Sequence, residues 1–203
     1  MGSWFNNCMP RIKDVKPTLS QIVHPIQEME GIKSMYVWGS FVKNLKNPNF
    51  RLRDIDILAR TRFHSGDLLA IDENIIKQAM SDEELENQGF DPQCVKFSRK
   101  FVELSKYNID HWSLSSDRKL LHWGPIMVNE KESDEVNKEA ERYAQRETGL
   151  TRKAINKSAE STRKNWYNSY CRYLSKYFEN MPSGWYKTED IKVKEIIAHC
   201  LEF

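Results

Sequence analysis

Two small residues followed at an interval by two acids are the part of this sequence best equipped for chemistry. In MYVWGSFVKNLKNPNFRLRDIDILART, Met35 to Thr61, an apolar run ends in Gly39-Ser40, and thirteen residues later comes Asp54-Ile55-Asp56-Ile57. Alternate residues of an extended strand share a face, so Asp54 and Asp56 would stand about 6–7 Å apart, with Ile55 and Ile57 on the other side. Like charges so close call for something positive between them. Mg²⁺ fits that need, because it is held by one or two carboxylates together with water and substrate phosphates. Two such ions about 3.5–4 Å apart orient an attacking hydroxyl and a leaving pyrophosphate for in-line displacement. Gly39 lets a phosphate approach backbone N–H groups, Ser40 adds a hydroxyl donor, and a helix starting just after them adds the positive end of its dipole. Lys43, about one turn on, is placed to neutralise a β- or γ-phosphate.

The elements that must hold these residues are legible in outline. KPTLSQIVHPIQEMEG sets Leu19, Ile22, Val23, Ile26 and Met29 at helical spacing, with Pro17 near the start, a kink expected at Pro25 and a stop at Gly31. KSMYVW reads as a strand ending at Gly39-Ser40, FVKNLKN as a short helix or turn, PNFRLR as a loop and DIDILA as a second strand beside the first. Three helical pieces are predicted over 66–104: one capped by Ser65, one opened by a Ser81-Glu84 capping box, and one opened by Asp91-Pro92. KYNIDHWSLS and KLLHWGPIMV then read as a hairpin around SSDR. From Asn129 the composition turns charged and helical, with a Pro-Ser-Gly break and a last helix from about Thr188. The division expected is a core over residues 1–128 and a C-terminal helical region over 129–203.

Composition narrows the function classes. The chain has 203 residues, 39% hydrophobic, enough for one sizeable core with an appendage. Its 31 basic and 29 acidic residues leave a net charge of +2, so only a local patch could argue for nucleic acid. Cys8, Cys94, Cys171 and Cys200 are scattered with no Cys-x-x-Cys, which indicates neither a disulfide framework nor a zinc site. No apolar run approaches a membrane span and the opening lacks a secretory layout, so a cytoplasmic protein with no membrane partner is expected. MGSWFN departs from the myristoylation pattern at Asn6.

The order strand, Gly-Ser, thirteen residues, Asp-hydrophobic-Asp-hydrophobic resembles the signature of the nucleotidyltransferase superfamily, whose catalytic part is like that of DNA polymerase beta, and especially its minimal stand-alone members. The similarity covers about residues 20 to 115. It implies an α+β fold: a small mixed β-sheet nucleotidyltransferase core with helices packed on one face, followed here by the C-terminal helical region. It also implies transfer of a nucleoside monophosphate, AMP by preference, from an NTP substrate such as ATP to an acceptor hydroxyl on an RNA 3′ end, a protein side chain or a small molecule. The cofactor implied is Mg²⁺, two ions, with Mn²⁺ as a substitute. Asp54 and Asp56 would be metal ligands, with Asp110 of KYNIDHWSLS as the third carboxylate, beside the acceptor and helping to remove its proton. Gly39, Ser40, Lys43 and Arg53 would serve the nucleotide. Many minimal members carry Arg soon after Gly-Ser and a small residue before the first Asp, whereas this chain has Phe41 and Val42, and Arg53. Arg53 reaches either a triphosphate or a neighbouring carboxylate.

Plainer readings exist for each feature. Asp72, Glu73, Asp82, Glu83 and Glu84 read as helix-start charges. The five His show no paired ligand spacing, and His111 should face away from Asp110 by strand alternation. Between Arg152 and Lys176 seven basic residues oppose Glu160 alone, a net of +6, and aromatics interleave them. Ile155, Ala159, Thr162, Trp166, Tyr170, Tyr173 and Tyr177 recur at steps of three and four, which makes the aromatics an inward stripe and leaves Lys153, Lys157 and Lys164 outward. Two alternatives to an enzyme follow: a non-catalytic, antitoxin-like interaction module on the same fold with Arg53 in the metal position, and an RNA-binding protein that uses its basic C-terminal helix.

Overall fold

The computed structural model describes residues 11–52, 54–105, 109–126, 130–178, 181–188, 196 and 201–202. Two compact units form, one of Met1–Gly124 with Ser183–Phe203 and one of Pro125–Pro182. The first is built on a mixed sheet of β1 (Ile32–Trp38), β2 (Ile55–Thr61), β3 (Ile109–Leu114), β4 (Leu120–Pro125), β5 (Ser183–Lys187) and β6 (Leu201–Glu202), in the order β5-β4-β3-β2-β1-β6. β1 runs antiparallel to β2 and β6, and β3 to β4, while β2 and β3 are parallel. A parallel pair needs a long crossover. Residues 62–108 supply it with α3 (Ser65–Leu69), α4 (Glu73–Lys77), α5 (Asp82–Asn87) and α6 (Pro92–Ser105), four pieces where three were expected.

Local chemistry accounts for these helices. Ser81 Oγ accepts the Glu84 N–H while the Glu84 carboxylate takes the Ser81 N–H, the reciprocal box read from the sequence. Asp91 accepts the Gln93 N–H as α6 begins at Pro92. Ser65 is not a cap: it is the first residue of α3, and His64 accepts the Gly66 N–H in its place. α1 (Ile12–Gln27) starts earlier than expected and includes both prolines, with Pro25 in its last turn. Its Ile12, Val15, Leu19, Val23 and Ile26 join Phe97 and Phe101 of α6 and the residues Val37, Ile57 and Ile109 of the sheet in one buried cluster. The helices thus cover one sheet face, as predicted. On the other face Leu58, Leu120 and Ile196 are buried, with Tyr36, Trp38, Trp112 and Leu114 partly buried against them.

The second unit holds α7 (Glu130–Thr148), α8 (Arg152–Ile155) and α9 (Glu160–Phe178). Ile155, Trp166 and Tyr170 of the predicted stripe are buried with Ala140 and Ala144, whereas Ala159 is exposed where the chain breaks between α8 and α9. Lys153, Lys157 and Lys164 are exposed. The Ile126 N–H donates to the Pro182 carbonyl at 2.9 Å, so the two ends of this helical unit meet.

The domain boundaries differ from those read in the sequence. The helical unit closes at Pro182 instead of running to the C-terminus, and residues 183–187 rejoin the sheet as β5. A five-residue strand that begins Ser-Gly carries too little alternation to stand out after a Pro, and only its partners identify it. The helix expected from about Thr188 lies almost wholly outside the described residues, as do Cys8, Cys200, His199 and the opening MGSWFN. Among the described residues Cys94 and Cys171 are in no disulfide. No described helix is long and apolar enough to cross a membrane.

Candidate active site

β1 ends at Trp38, and the chain turns into α2 (Gly39–Lys43) through Gly39 at φ +70°. That left-handed conformation costs any other L-residue strain. A Cβ on Gly39 would also lie 2.0 Å from Asp56 Oδ2. The Asp56 carboxylate therefore rests directly on the glycine, so the Gly-Ser bend and the acidic strand, read in the sequence as two halves of one constellation, are in contact.

Asp56 is register partner to Trp38 on one side and to Asp110 on the other. Directly paired residues in adjacent strands point to the same face, with the strands about 4.8 Å apart. Asp56 and Asp110 are therefore neighbours, both partly buried, on the sheet face opposite the core of α1 and α6, the face on which Ile196 is buried with Leu58 and Leu120. Ile55 and Ile57 point into the helix-covered core, as alternation requires. Asp54 differs from expectation: β2 begins at Ile55, so Asp54 lies on the approach to the strand and not in it. Arg53 lies outside the described residues.

Ser40 Oγ is buried without a hydrogen-bond partner among the described residues. A buried hydroxyl in that state is costly and stands ready for a ligand oxygen. Its carbonyl accepts from Asn44 Nδ2 at 2.8 Å, which closes the bend. α2 has only five residues, too few to add an appreciable dipole, so the Gly-Ser seat works through individual donors. Lys43 is exposed at the end of α2, one turn beyond Gly39.

Sequence reasoning missed the far flank. Trp185 of β5 is 3% exposed, stacks on Phe97 and donates its indole N–H to Ser98 Oγ at 2.8 Å. That anchor sends Tyr186 to the opposite face, where its hydroxyl meets His122 Nδ1 of β4 at 2.5 Å. Burial, and then the nearby charge of Asp110, push the Tyr186 phenol up to about 12. Trp112 packs on His122 with ring centroids 4.2 Å apart and stands edge-on to Trp38 at 5.4 Å. His111 points into the core, 2% exposed against Phe101, and burial with the neighbouring His122 charge lowers it to about 3. It is a neutral core residue, as alternation predicts.

Among the described residues no three His, Cys, Asp or Glu side chains gather as a metal-holding group. The carboxylates brought together are the pair Asp56 and Asp110. A pair of acids beside an unsatisfied hydroxyl fits Mg²⁺, which takes one or two protein carboxylates and fills its remaining positions with water and phosphate oxygens. No protein-family model, curated protein or solved structure matches this chain.

Proposed function

We propose that this protein is a divalent-metal-dependent nucleotidyltransferase that moves a nucleoside monophosphate, AMP by preference, from an NTP to an acceptor hydroxyl. The observation that carries this reading is the contact of Gly39 with the Asp56 carboxylate, with Asp110 in register beside it. In this reading Asp56 and Asp110 hold the metal, with Asp54 as a further ligand from the approach to β2. Bound there, Mg²⁺ supplies charge neutralisation for the phosphates and lowers the pKa of a coordinated oxygen. Ser40 donates to a phosphate oxygen, Gly39 admits the phosphates to the backbone, and Lys43 offsets their charge. The acceptor oxygen bonds to the α-phosphorus, the bond from that phosphorus to the bridging oxygen breaks, and pyrophosphate leaves. The hydroxyl proton passes to Asp110.

The test is to incubate the protein with labelled NTPs, Mg²⁺ and cell extract beside the Asp56→Asn variant. Label should move with the wild type alone and ATP should be the best donor; equal labelling by both proteins sinks the assignment. A rise in melting temperature with millimolar Mg²⁺ and ATP separates this reading from a non-catalytic module, since a ligand that binds only the folded state must stabilise it.

A second reading, RNA binding, draws on the exposed Lys153, Lys157, Arg172 and Lys176 of the helical unit. Because Ile126 and Pro182 meet, residues 127–181 can be replaced by a short linker. Loss of RNA affinity with retention of the Mg²⁺ and ATP response would assign the two activities to separate units.

A further inference from the structure

We propose that Tyr186 receives and orients the attacking acceptor hydroxyl, and that His122 is the positioning residue that holds Tyr186 in place. The proposal rests on the nucleotidyl-transfer reading above and assigns the acceptor side of that site.

The order of the sheet separates a phosphate flank from an acceptor flank. Along β5-β4-β3-β2-β1, the Gly39-Ser40 bend follows β1, Asp56 is on β2, Asp110 on β3, and the His122–Tyr186 pair on β4 and β5. In-line displacement requires the attacking and leaving oxygens on opposite sides of the phosphorus. With the phosphates seated at the β1 flank, the pyrophosphate leaves on that side. The acceptor must then arrive from the flank of β3, β4 and β5, and Tyr186 is the hydroxyl that this flank brings within the influence of Asp110.

Side-chain placement agrees. β4 presents Gly124 two residues beyond His122, and a Cβ there would touch both the His122 and Tyr186 rings, at 3.7 and 3.8 Å. The missing side chain leaves room beside the His122 and Tyr186 rings. Trp185 locks the backbone of β5 from the other face through Ser98 and Phe97, so Tyr186 has a fixed origin. The phenol stays protonated at neutral pH, and in the tautomer that carries hydrogen on Nδ1 His122 donates to the Tyr186 oxygen. The phenol O–H is then left to donate to a lone pair of the incoming hydroxyl oxygen, which aligns that oxygen while its own proton passes to Asp110. Tyr186 itself gains and loses no proton.

The experiment uses the full chain with Tyr186→Phe, His122→Asn and His122→Leu. The readouts are the melting-temperature rise with Mg²⁺ and ATP, and the rate of AMP labelling across a dilution series of cell extract. Tyr186→Phe keeps the ring and should keep the Mg²⁺ and ATP response, while labelling falls about 10- to 100-fold, the scale of a misplaced reactant. His122→Asn, which offers a polar atom near the Nδ1 position, should retain more labelling than His122→Leu. Wild-type labelling by Tyr186→Phe, or loss of its Mg²⁺ and ATP response along with the labelling, overturns the assignment while leaving nucleotidyl transfer standing. A wild type that labels no better than Asp56→Asn overturns the transfer reading, and the acceptor role falls with it.

Discussion

The two faces of the sheet answer different demands, and β2 and β3 carry both. Toward the helices they present Ile55, Ile57, Ala59 and Ile109, with Val37 of β1 and Leu121 of β4, where stabilisation grows with the apolar area removed from water. Toward the other side they present Asp56 and Asp110, flanked by Trp38, Trp112, His122 and Tyr186. Two histidines make the contrast concrete. His111 on the covered face is kept neutral by burial, whereas His122 on the other face binds a tyrosine hydroxyl beside a carboxylate. Strand alternation thus lets a single strand build the core with one set of residues and an acidic, aromatic-flanked face with the next.

The largest expected effect comes from cutting the link between the faces. Trp185→Ala removes a buried indole that packs against Phe97, Phe101 and Trp123 and leaves Ser98 Oγ without its donor. The loss should be about 3–5 kcal/mol by urea denaturation. AMP labelling should fall in parallel, because the same residue fixes the origin of Tyr186. Next comes Gly39→Ala, which meets a positive φ and the Asp56 carboxylate at once. The backbone term is about 1–2 kcal/mol. In an Asp56→Ala background the steric part disappears, so the alanine should cost less there. Equal costs in both backgrounds, measured by thermal melts, would mean that the contact is not what fixes the glycine.

How much of this was legible depended on the distance over which each feature is decided. The Ser81-Glu84 box, the Asp91-Pro92 start of α6, the apolar stripe of α1 and the alternation of β1 to β4 are local patterns, and the sequence states them directly. The inward stripe of α9 was legible for the same reason, as Trp166 and Tyr170 are buried. β5 was not, because its identity rests on Trp185 reaching Ser98 and Tyr186 reaching His122, separations of 87 and 64 residues. The site divides likewise. Gly39, Ser40 and Asp56 came from type and spacing and Asp110 from the resemblance, whereas the position of Asp54 outside β2 follows from where pairing with β3 begins, at Ile55 opposite Ile109. Nothing near Ser65 in the chain signals that its hydroxyl goes to Asp117 in the β3–β4 turn instead of capping a helix.

A smaller effect bears on the acidic face itself. On the nucleotidyl-transfer reading, Asp56→Asn and Asp110→Asn should each reduce or abolish the melting-temperature gain that added Mg²⁺ gives the wild type over EDTA. An undiminished gain in either variant would mean that its carboxylate serves the fold and not the ion.

The least costly change supplies the control, because Asp117 is a carboxylate that the helical side has already satisfied. Its oxygens accept from Ser65 Oγ at 2.7 Å and from the Ser65 N–H at 2.9 Å, at the start of α3. The Ser65 hydroxyl first, then that of Ser115, hold the Asp117 carboxyl well below the usual carboxylate range. A depressed folded-state pKa means that the unfolded chain takes up the proton first. The contribution is therefore complete above the ordinary aspartate pKa of about 3.9 and is lost as pH falls through that value toward the folded one. Melting temperatures of the wild type and Asp117→Asn should differ by a constant amount from pH 7 to about pH 5 and converge below about pH 4. Asp56→Asn should lose the Mg²⁺ response, whereas Asp117→Asn should keep it. That difference separates a carboxylate that serves the fold from one proposed to hold a cation.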